Sequence, residues 1–519
     1  DRRIQLALDF HDRGLAAPIA LEQQLAALNS LNKTQAEEIS TTRFNWDKAQ
    51  IIALQPATDA KRKVAQADFA TLANIHAQPL VEPGEAQLAN LPLALPARTD
   101  RLGVIKERGM QNGLTIYTVR NADAPLIDIS LVFNAGAANE PAGQRGIAQL
   151  AVDGLSMRSS DINNVLMFYR AGGSRDAEAT GDRIVFHISG TSAYLDILLR
   201  SMERWVLSGT YRRNELRDLL ANWKTAINAK QKALDAAVRA RMGALYGAQH
   251  PYAQNQLSYY DLQALTADNA AAFAMRTFVP NNATLIITGN FDEGQLDDWI
   301  SYVFYEWRNG NNVPPVELPA RQARGAAFAT ANDADQIRTV IAYPAVQMAT
   351  PLAVRQLIGA MLNEAGAAVR NELAASYGVN GGYVKDAAGG SYLMTGLIDA
   401  ARAGEALQLL RGRIAALGDG SDLAKRTFAV ARRHAALAAL SDPTSSSELS
   451  SVLIDATRPG SSLRQASELP AAIARLTYQD IVPYLATELP ADKEVLSLTG
   501  PKVAVTAAFE AIKITPTWQ

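Results

Sequence analysis

The sequence predicts an α+β protein of two consecutive modules, and two observations carry that prediction. A unit recurs along the chain: Leu257 to Gly289 reads LSYYDLQALTADNAAAFAMRTFVPNNATLIITG, and Leu469 to Gly500 reads LPAAIARLTYQDIVPYLATELPADKEVLSLTG. Each copy has a Leu before a Thr, an acidic residue two or three places on, a helical stretch, a Pro-containing turn and a strand ending at Thr-Gly. The Thr suits a helix N-cap, where its hydroxyl accepts from a free N–H of the first turn. Strands also cluster, give way to helices and then return, an order that suits α+β modules and not a doubly wound parallel sheet.

Residues 1–60 hold a third, looser copy of the repeat from Leu25 to Pro56. They are expected to be the tail of a preceding module, with a helical N-terminal extension as the alternative. Residues 61–100 read as an extended linker, since Pro79, Pro83, Pro92 and Pro96 fall in a stretch without aromatics. The first complete module is expected over 101–308. Asn112-Gly113 precedes a β-branched run to Val119, and Leu126 to Phe133 alternates as a half-buried strand. A Gly- and Ala-rich loop then enters a helix whose apolar positions are Ile147, Leu150, Ala151, Gly154 and Leu155. The Gly172-Gly173 turn leads to a strand at Arg183 to Ser189, and a helical region follows from Ser192 to Tyr246, interrupted near Gly209. Residues 309–325, with Gly310, Pro314, Pro315 and Pro319, read as a second linker. The second module, 326–519, opens on strands, continues through helices at Leu352 to Ala374 and Gly404 to Leu417, and closes on the repeat.

Composition narrows the function. The chain has 519 residues, 48% hydrophobic and 20% charged, with a formal charge of −2; that is enough for more than one core and no global field for nucleic acid or an anionic membrane. No apolar run approaches the roughly 20 residues that span a bilayer. The absence of cysteine removes disulfides, thiolate metal sites and Cys nucleophiles together. It suits an oxidising compartment such as the periplasm and leaves the cytoplasm open. The Gly pairs at 172–173, 381–382 and 389–390 lack the Lys-Ser/Thr of a phosphate loop.

The helix at Gly146 to Leu155 is the informative one. Two imidazoles at i and i+4 on such a helix would grip a zinc ion, and a Glu at i+3 would deprotonate its bound water. This chain has Gln149, Val152 and Asp153 at those spacings. An amide is a poor zinc ligand, an isopropyl group takes no proton, and one carboxylate holds a hard cation weakly, so no metal is expected here. The five histidines, at 11, 76, 187, 250 and 434, are far apart and read as structural.

The stretch FNAGAANEPAGQRGIAQLAVDGL resembles the loop and helix that carry G-x-A-H-x-x-E-H in the zinc peptidases of the insulinase, pitrilysin and mitochondrial-processing-peptidase group, the M16 family. Further matches, in order, are Asn112-Gly113-Leu114, Gly172-Gly173, Leu245-Tyr246-Gly247 and His250-Pro251-Tyr252. The resemblance spans Arg101 to Gln519 and implies two M16-type modules, each a mainly antiparallel sheet covered by helices. In that family the third zinc ligand is a Glu on a later helix; the corresponding Leu219 to Lys230 contains no acid.

Val369 to Val379, VRNELAASYGV, resembles the family's later pattern L-R-E-x-x-G-L-A-Y-x-V, departing at Asn371 for Glu and at Ala374 for Gly. The resemblance implies that Arg370 and Tyr377 reach substrate held at the zinc of another module. A guanidinium can hold a peptide carbonyl and a phenol can donate to a developing oxyanion; otherwise Arg370 is a surface residue pairing with Glu372. The expectation is a non-catalytic half with no cofactor of its own, closing a chamber around a peptide or small unfolded protein. The zinc would sit in a partner half, either a separate subunit or an N-terminal part of the same polypeptide. A purely structural or assembly subunit is the alternative.

Overall fold

The computed structural model describes residues 105–519, except 123, 157–161, 227–228, 255–256, 258–259, 311–312, 346–348, 441–444 and 459–460. The expectations for residues 1–60 and 61–100 lie outside the described residues. The chain divides into two compact units, Asp1–Val81 and Glu82–Gln519, and everything described belongs to the second.

The first sheet is built from β1 (Ile105–Gly109), β2 (Thr115–Arg120), β3 (Leu126–Phe133), β4 (Ser174–Ala179), β5 (Ile184–Thr191) and β6 (Ala283–Gly289), in the order β1-β2-β6-β3-β5-β4. All its pairs are antiparallel except β2 with β6. Its helices are α1 (Ile147–Asp153), α2 (Ile162–Arg170), α3 (Leu195–Met202), α4 (Arg213–Ala226), α5 (Ala229–Tyr246), α6 (Ala267–Thr277) and α7 (Glu293–Phe304). Alternation on β3 sends Ile127, Ile129, Leu131 and Phe133 into one core with α1, α3, α6 and α7.

The second sheet holds β7 (Ala326–Ala331), β8 (Gln336–Pro344), β9 (Val379–Val384), β10 (Ser391–Asp399), β11 (Val495–Gly500) and β12 (Thr517–Trp518), in the order β9-β10-β8-β11-β7-β12. Its helices are α8 (Leu352–Asn371), α9 (Ala403–Ala416), α10 (Asp422–Leu440), α11 (Ser446–Ala456), α12 (Leu463–Arg475), α13 (Tyr478–Glu488) and α14 (Lys502–Ala511). Read in the same sense, the two sheets correspond strand for strand: β2, β6, β3, β5 and β4 occupy the places of β7, β11, β8, β10 and β9. In both, the strand of the repeated unit lies parallel to the first of these and antiparallel to the next. Thr266 caps as the sequence suggests, accepting from Asn269 N, whereas at Thr477 the backbone N–H and the hydroxyl both donate to Asp480 Oδ2, at 2.8 and 2.7 Å.

The two sheets exchange helices. The end of α5 buries Ala244, Leu245 and Tyr246 against Phe328, Ala342 and Val495 of the second sheet. In return α11 buries Leu449 and Leu453 against Val119, Val132 and Ile286 of the first. Polar contacts follow the same seam: Ser130 Oγ lies 2.9 Å from Ser450 Oγ, and Thr288 Oγ1 donates to the Ser446 carbonyl. Asp182 accepts from Arg458 at 2.9 Å and from the Tyr252 hydroxyl at 2.7 Å.

Two expectations need correction. The turn at Gly172-Gly173 leads into a strand at once, β4, which the sequence conceals because SRDAEA lies at a sheet edge and its inward face offers only Ala177 and Ala179, with no β-branched or aromatic residue. The helix expected to reach Ala374 ends at Asn371, where Ala374 takes a left-handed conformation, φ +49°.

Candidate functional site

Glycine and a buried acid set up the entrance to α1. Gly146, the N-cap, sits at φ +86°, a conformation costly for any residue with a Cβ. Both Glu140 carboxylate oxygens accept from Gly146 N at 3.1 Å, and one also accepts from Ala148 N at 3.1 Å. The carboxylate thus does the work of a capping side chain. Burial pushes Glu140 up to about 7, against the downward pull of those N–H groups and of Arg145.

On α1 itself Ile147, Ala148, Leu150, Ala151 and Val152 are buried. Gln149 Nε2 donates to Asp153 Oδ1 at 2.8 Å, so the two positions that would face a metal are tied to each other. Burial raises the Asp153 pKa while the Gln149 bond lowers it. Val152 is 3% exposed and belongs to the core. The acids on α4 are Glu215 and Asp218, before the acid-free stretch, and Glu215 is paired with Arg212 at 2.9 Å. An amide, a valine and one acid do not fit zinc. Among the described residues no group of three His, Cys, Asp or Glu side chains is placed to hold a metal.

His250 caps a turn, its Nδ1 accepting from Tyr252 N at 3.2 Å, and burial lowers its pKa. His187 is held between Asp128 at 2.6 Å and Asp176 at 2.8 Å. Burial would lower its pKa, but the two carboxylates raise it to about 9, making it a charged bridge across β3, β5 and β4. Its two nitrogens face opposite partners, which is wrong for a metal ligand. His434 pairs with Glu364 at 2.8 Å. Sequence reading missed both acid partners, because each His meets its acid only once strands or helices are paired.

Arg370 and Tyr377 flank the C-terminal end of α8. Ala374 N donates to the Arg370 carbonyl and Ala375 N to the Val369 carbonyl, the closing pattern of a helix that ends on a left-handed residue. The glycine that the family places at this position is explained by that backbone. Beyond it Ser376 Oγ donates to the Leu397 carbonyl and accepts from Gly378 N. The chain between Arg370 and Tyr377 is therefore fixed at both ends. Among the described residues Arg370 Nε donates to its neighbour Asn371, at 3.3 Å, and Glu372 is taken by Arg413 instead. Tyr377 is 95% exposed.

The family model described as the peptidase M16 inactive domain matches residues 264–432. No curated protein matches in sequence. Among solved structures, a peptidase M16 inactive domain from Pseudomonas fluorescens superposes with a TM-score of 0.66 at 18% identity, over 77% of this chain and 98% of that one. The periplasmic protease PqqL from Escherichia coli gives 0.63 at 15% identity, over 92% of this chain and 52% of its own, so this chain spans about half of that protease. A chain of complex III2 from Candida albicans, solved with Inz-5 bound, gives 0.63 at 15% identity, over 79% and 97%. The chain has the two-sheet α+β fold of the M16 peptidases and, across residues 264–432, matches that family's inactive domain.

Proposed function

We propose that this chain is the non-catalytic half of an M16-type peptidase. It closes a peptide-degrading chamber with a zinc-bearing M16 half and presents Arg370 and Tyr377 to the substrate there. The observation that carries the reading is an asymmetry. The zinc positions are occupied by a closed Gln149–Asp153 pair and a core valine, whereas on a fixed backbone Arg370 bonds its neighbour Asn371 and Tyr377 is 95% exposed. In the assembled chamber the guanidinium would hold a peptide carbonyl, and the phenol would donate to the oxygen on which charge develops. The substrate class is unfolded peptide or small protein, selected by chamber volume. A periplasmic setting is part of the proposal and is supported by the absence of cysteine and by the fold of a periplasmic protease.

The test is a peptidase assay of the chain alone and with a co-purifying chain that contains H-x-x-E-H. The chain alone should be inactive and free of stoichiometric zinc. In the complex, Arg370→Ala and Tyr377→Phe should each lower kcat by about 100-fold, the scale of losing one donor to a developing oxyanion. Full kcat in both variants would favour the second reading, an assembly subunit without a role in proteolysis. That reading draws support from the complex III2 chain, which matches the fold as well as the protease does.

A further inference from the structure

A pocket of about 430 Å³ opens between α8, β9, α10 and α12. By the strand correspondence α8 and β9 take the places on the second sheet that α1 and β4 hold on the first. Small residues create it. A Cβ on Gly359 would come 2.6 Å from Tyr383 N, so the glycine lets β9 close against the helix, and alanines of α10 leave the opposite wall bare. The floor is apolar, from Leu469 and Ile473. One charged group faces this space from α8: Glu364, whose side chain is 15% exposed and whose partner among the described residues is the half-exposed His434. Among the described residues no Lys or Arg lines the pocket.

We propose that this pocket takes a lysine or arginine side chain of the bound peptide, its aliphatic stem on Leu469 and the alanine wall and its cation on Glu364. The inference rests on the reading of α8 as a substrate-facing helix. Its geometry agrees with that reading along two separate tracks. On α8, Gln356, Ala360, Asn363 and Arg370 fall at intervals of four, three and seven residues, which places them on one face. Asn363 and Arg370 are then about 10 Å apart along the axis, at 1.5 Å per residue. Along the neighbouring chain, Tyr377 and the pocket residue Gly381 are separated by about 13 Å of extended backbone. The ends of the groove are tied together, as Gly381 N donates to Asn363 Oδ1 at 3.1 Å. An extended peptide held at a carbonyl by Arg370 therefore brings a side chain about three residues away over the pocket. A wall of alanine and leucine fits the four-carbon stem, and a mostly buried carboxylate without a competing Lys or Arg fits the head.

The experiment uses the full chain and acetylated, amidated alanine-serine decapeptides carrying either one lysine or one norleucine at the same position, with affinities read by calorimetry. The lysine peptide should bind about 10-fold more tightly, the scale of one hydrogen bond to a charged group. Glu364→Gln, which keeps the His434 hydrogen bond, should cut that preference to about 2-fold or less. Ala438→Trp at the exposed rim should weaken both peptides. Equal affinities for the two peptides, no binding of either, or an unchanged preference in Glu364→Gln would overturn the proposal. Arg370→Ala separates it from the reading on which it rests: that variant should weaken both peptides alike and leave the lysine preference intact. A complex that retains full kcat in Arg370→Ala and Tyr377→Phe would sink the trans-acting role, while the lysine preference still judges the pocket.

Discussion

Gln149 Nε2 donates to Asp153 Oδ1 at 2.8 Å across one turn of α1, joining two side chains at the i, i+4 spacing that a zinc-gripping pair of histidines would need. Between them Val152 points into the core at 3% exposure and is part of the packing. Val152→Glu should accordingly destabilise the protein by about 3 kcal/mol at pH 7, from lost apolar burial and a carboxylate without a partner. Urea unfolding measures it. A change below about 0.5 kcal/mol, the range of ordinary surface substitutions, would mean that this face is open as in a working site.

Ala374 offers the opposite sign. At φ +49° it bears a strain that glycine would relieve. Ala374→Gly should stabilise by about 0.5–1 kcal/mol, the relief being partly offset by the extra freedom glycine has when unfolded. A shift of the urea midpoint upward at unchanged slope is the expected result; a loss of stability would contradict the left-handed cap.

Glu140 predicts a pH dependence. Its folded pKa, about 7, lies above the ordinary carboxylate value, so the folded state holds the proton longer than the unfolded one does. Its contribution to stability is then greatest in acid and is lost as pH rises from about 4.5 to about 7, with no further change above. Glu140→Gln removes that slope. Its stability relative to the native chain should move by about 2 kcal/mol in the variant's favour between pH 5 and pH 8, allowing for partial exposure. A gap that stays constant with pH would show that the N–H groups of Gly146 and Ala148 hold the carboxylate ionised throughout.

Arg458 and Asp182 join the two halves of the seam at 2.9 Å, with side chains 14% and 4% exposed. Arg458→Ala should cost about 3 kcal/mol, because Asp182 is left buried with only hydroxyl donors. Amide exchange should rise first in α11. Protection there equal to the native protein's would show that the apolar contacts alone hold the helix.

The sequence revealed elements whose signal is local. Leu126 to Phe133 alternates and forms β3; Thr266 caps the helix it precedes. It concealed what depends on distant partners or on no pattern at all. Ser174 to Ala179 has two alanines as its whole inward apolar face and no β-branched or aromatic residue, a signal too weak to distinguish an edge strand from a loop. His187 and Asp128 stand 59 residues apart and become a pair only through the β3–β5 register. The same holds for Glu364 with His434, 70 residues apart on different helices. The sequence singled out Arg370 and Tyr377 as candidates, but it could not show that Glu372 turns away to Arg413 and leaves Arg370 free of it.

The reciprocal loan of α5 and α11 bears on how the protein is made. The first sheet keeps Val119, Val132 and Ile286 bare until the ribosome has passed Ala456, because the helix that covers them is encoded near the far end. Early folding of the leading half would thus leave a sticky surface waiting for its cover, a natural station for a chaperone. The same arrangement forbids gradual disassembly. A nick in the stretch between residues 313 and 325 would leave two fragments each gripping a helix of the other, so the cut product should migrate as one particle until denatured.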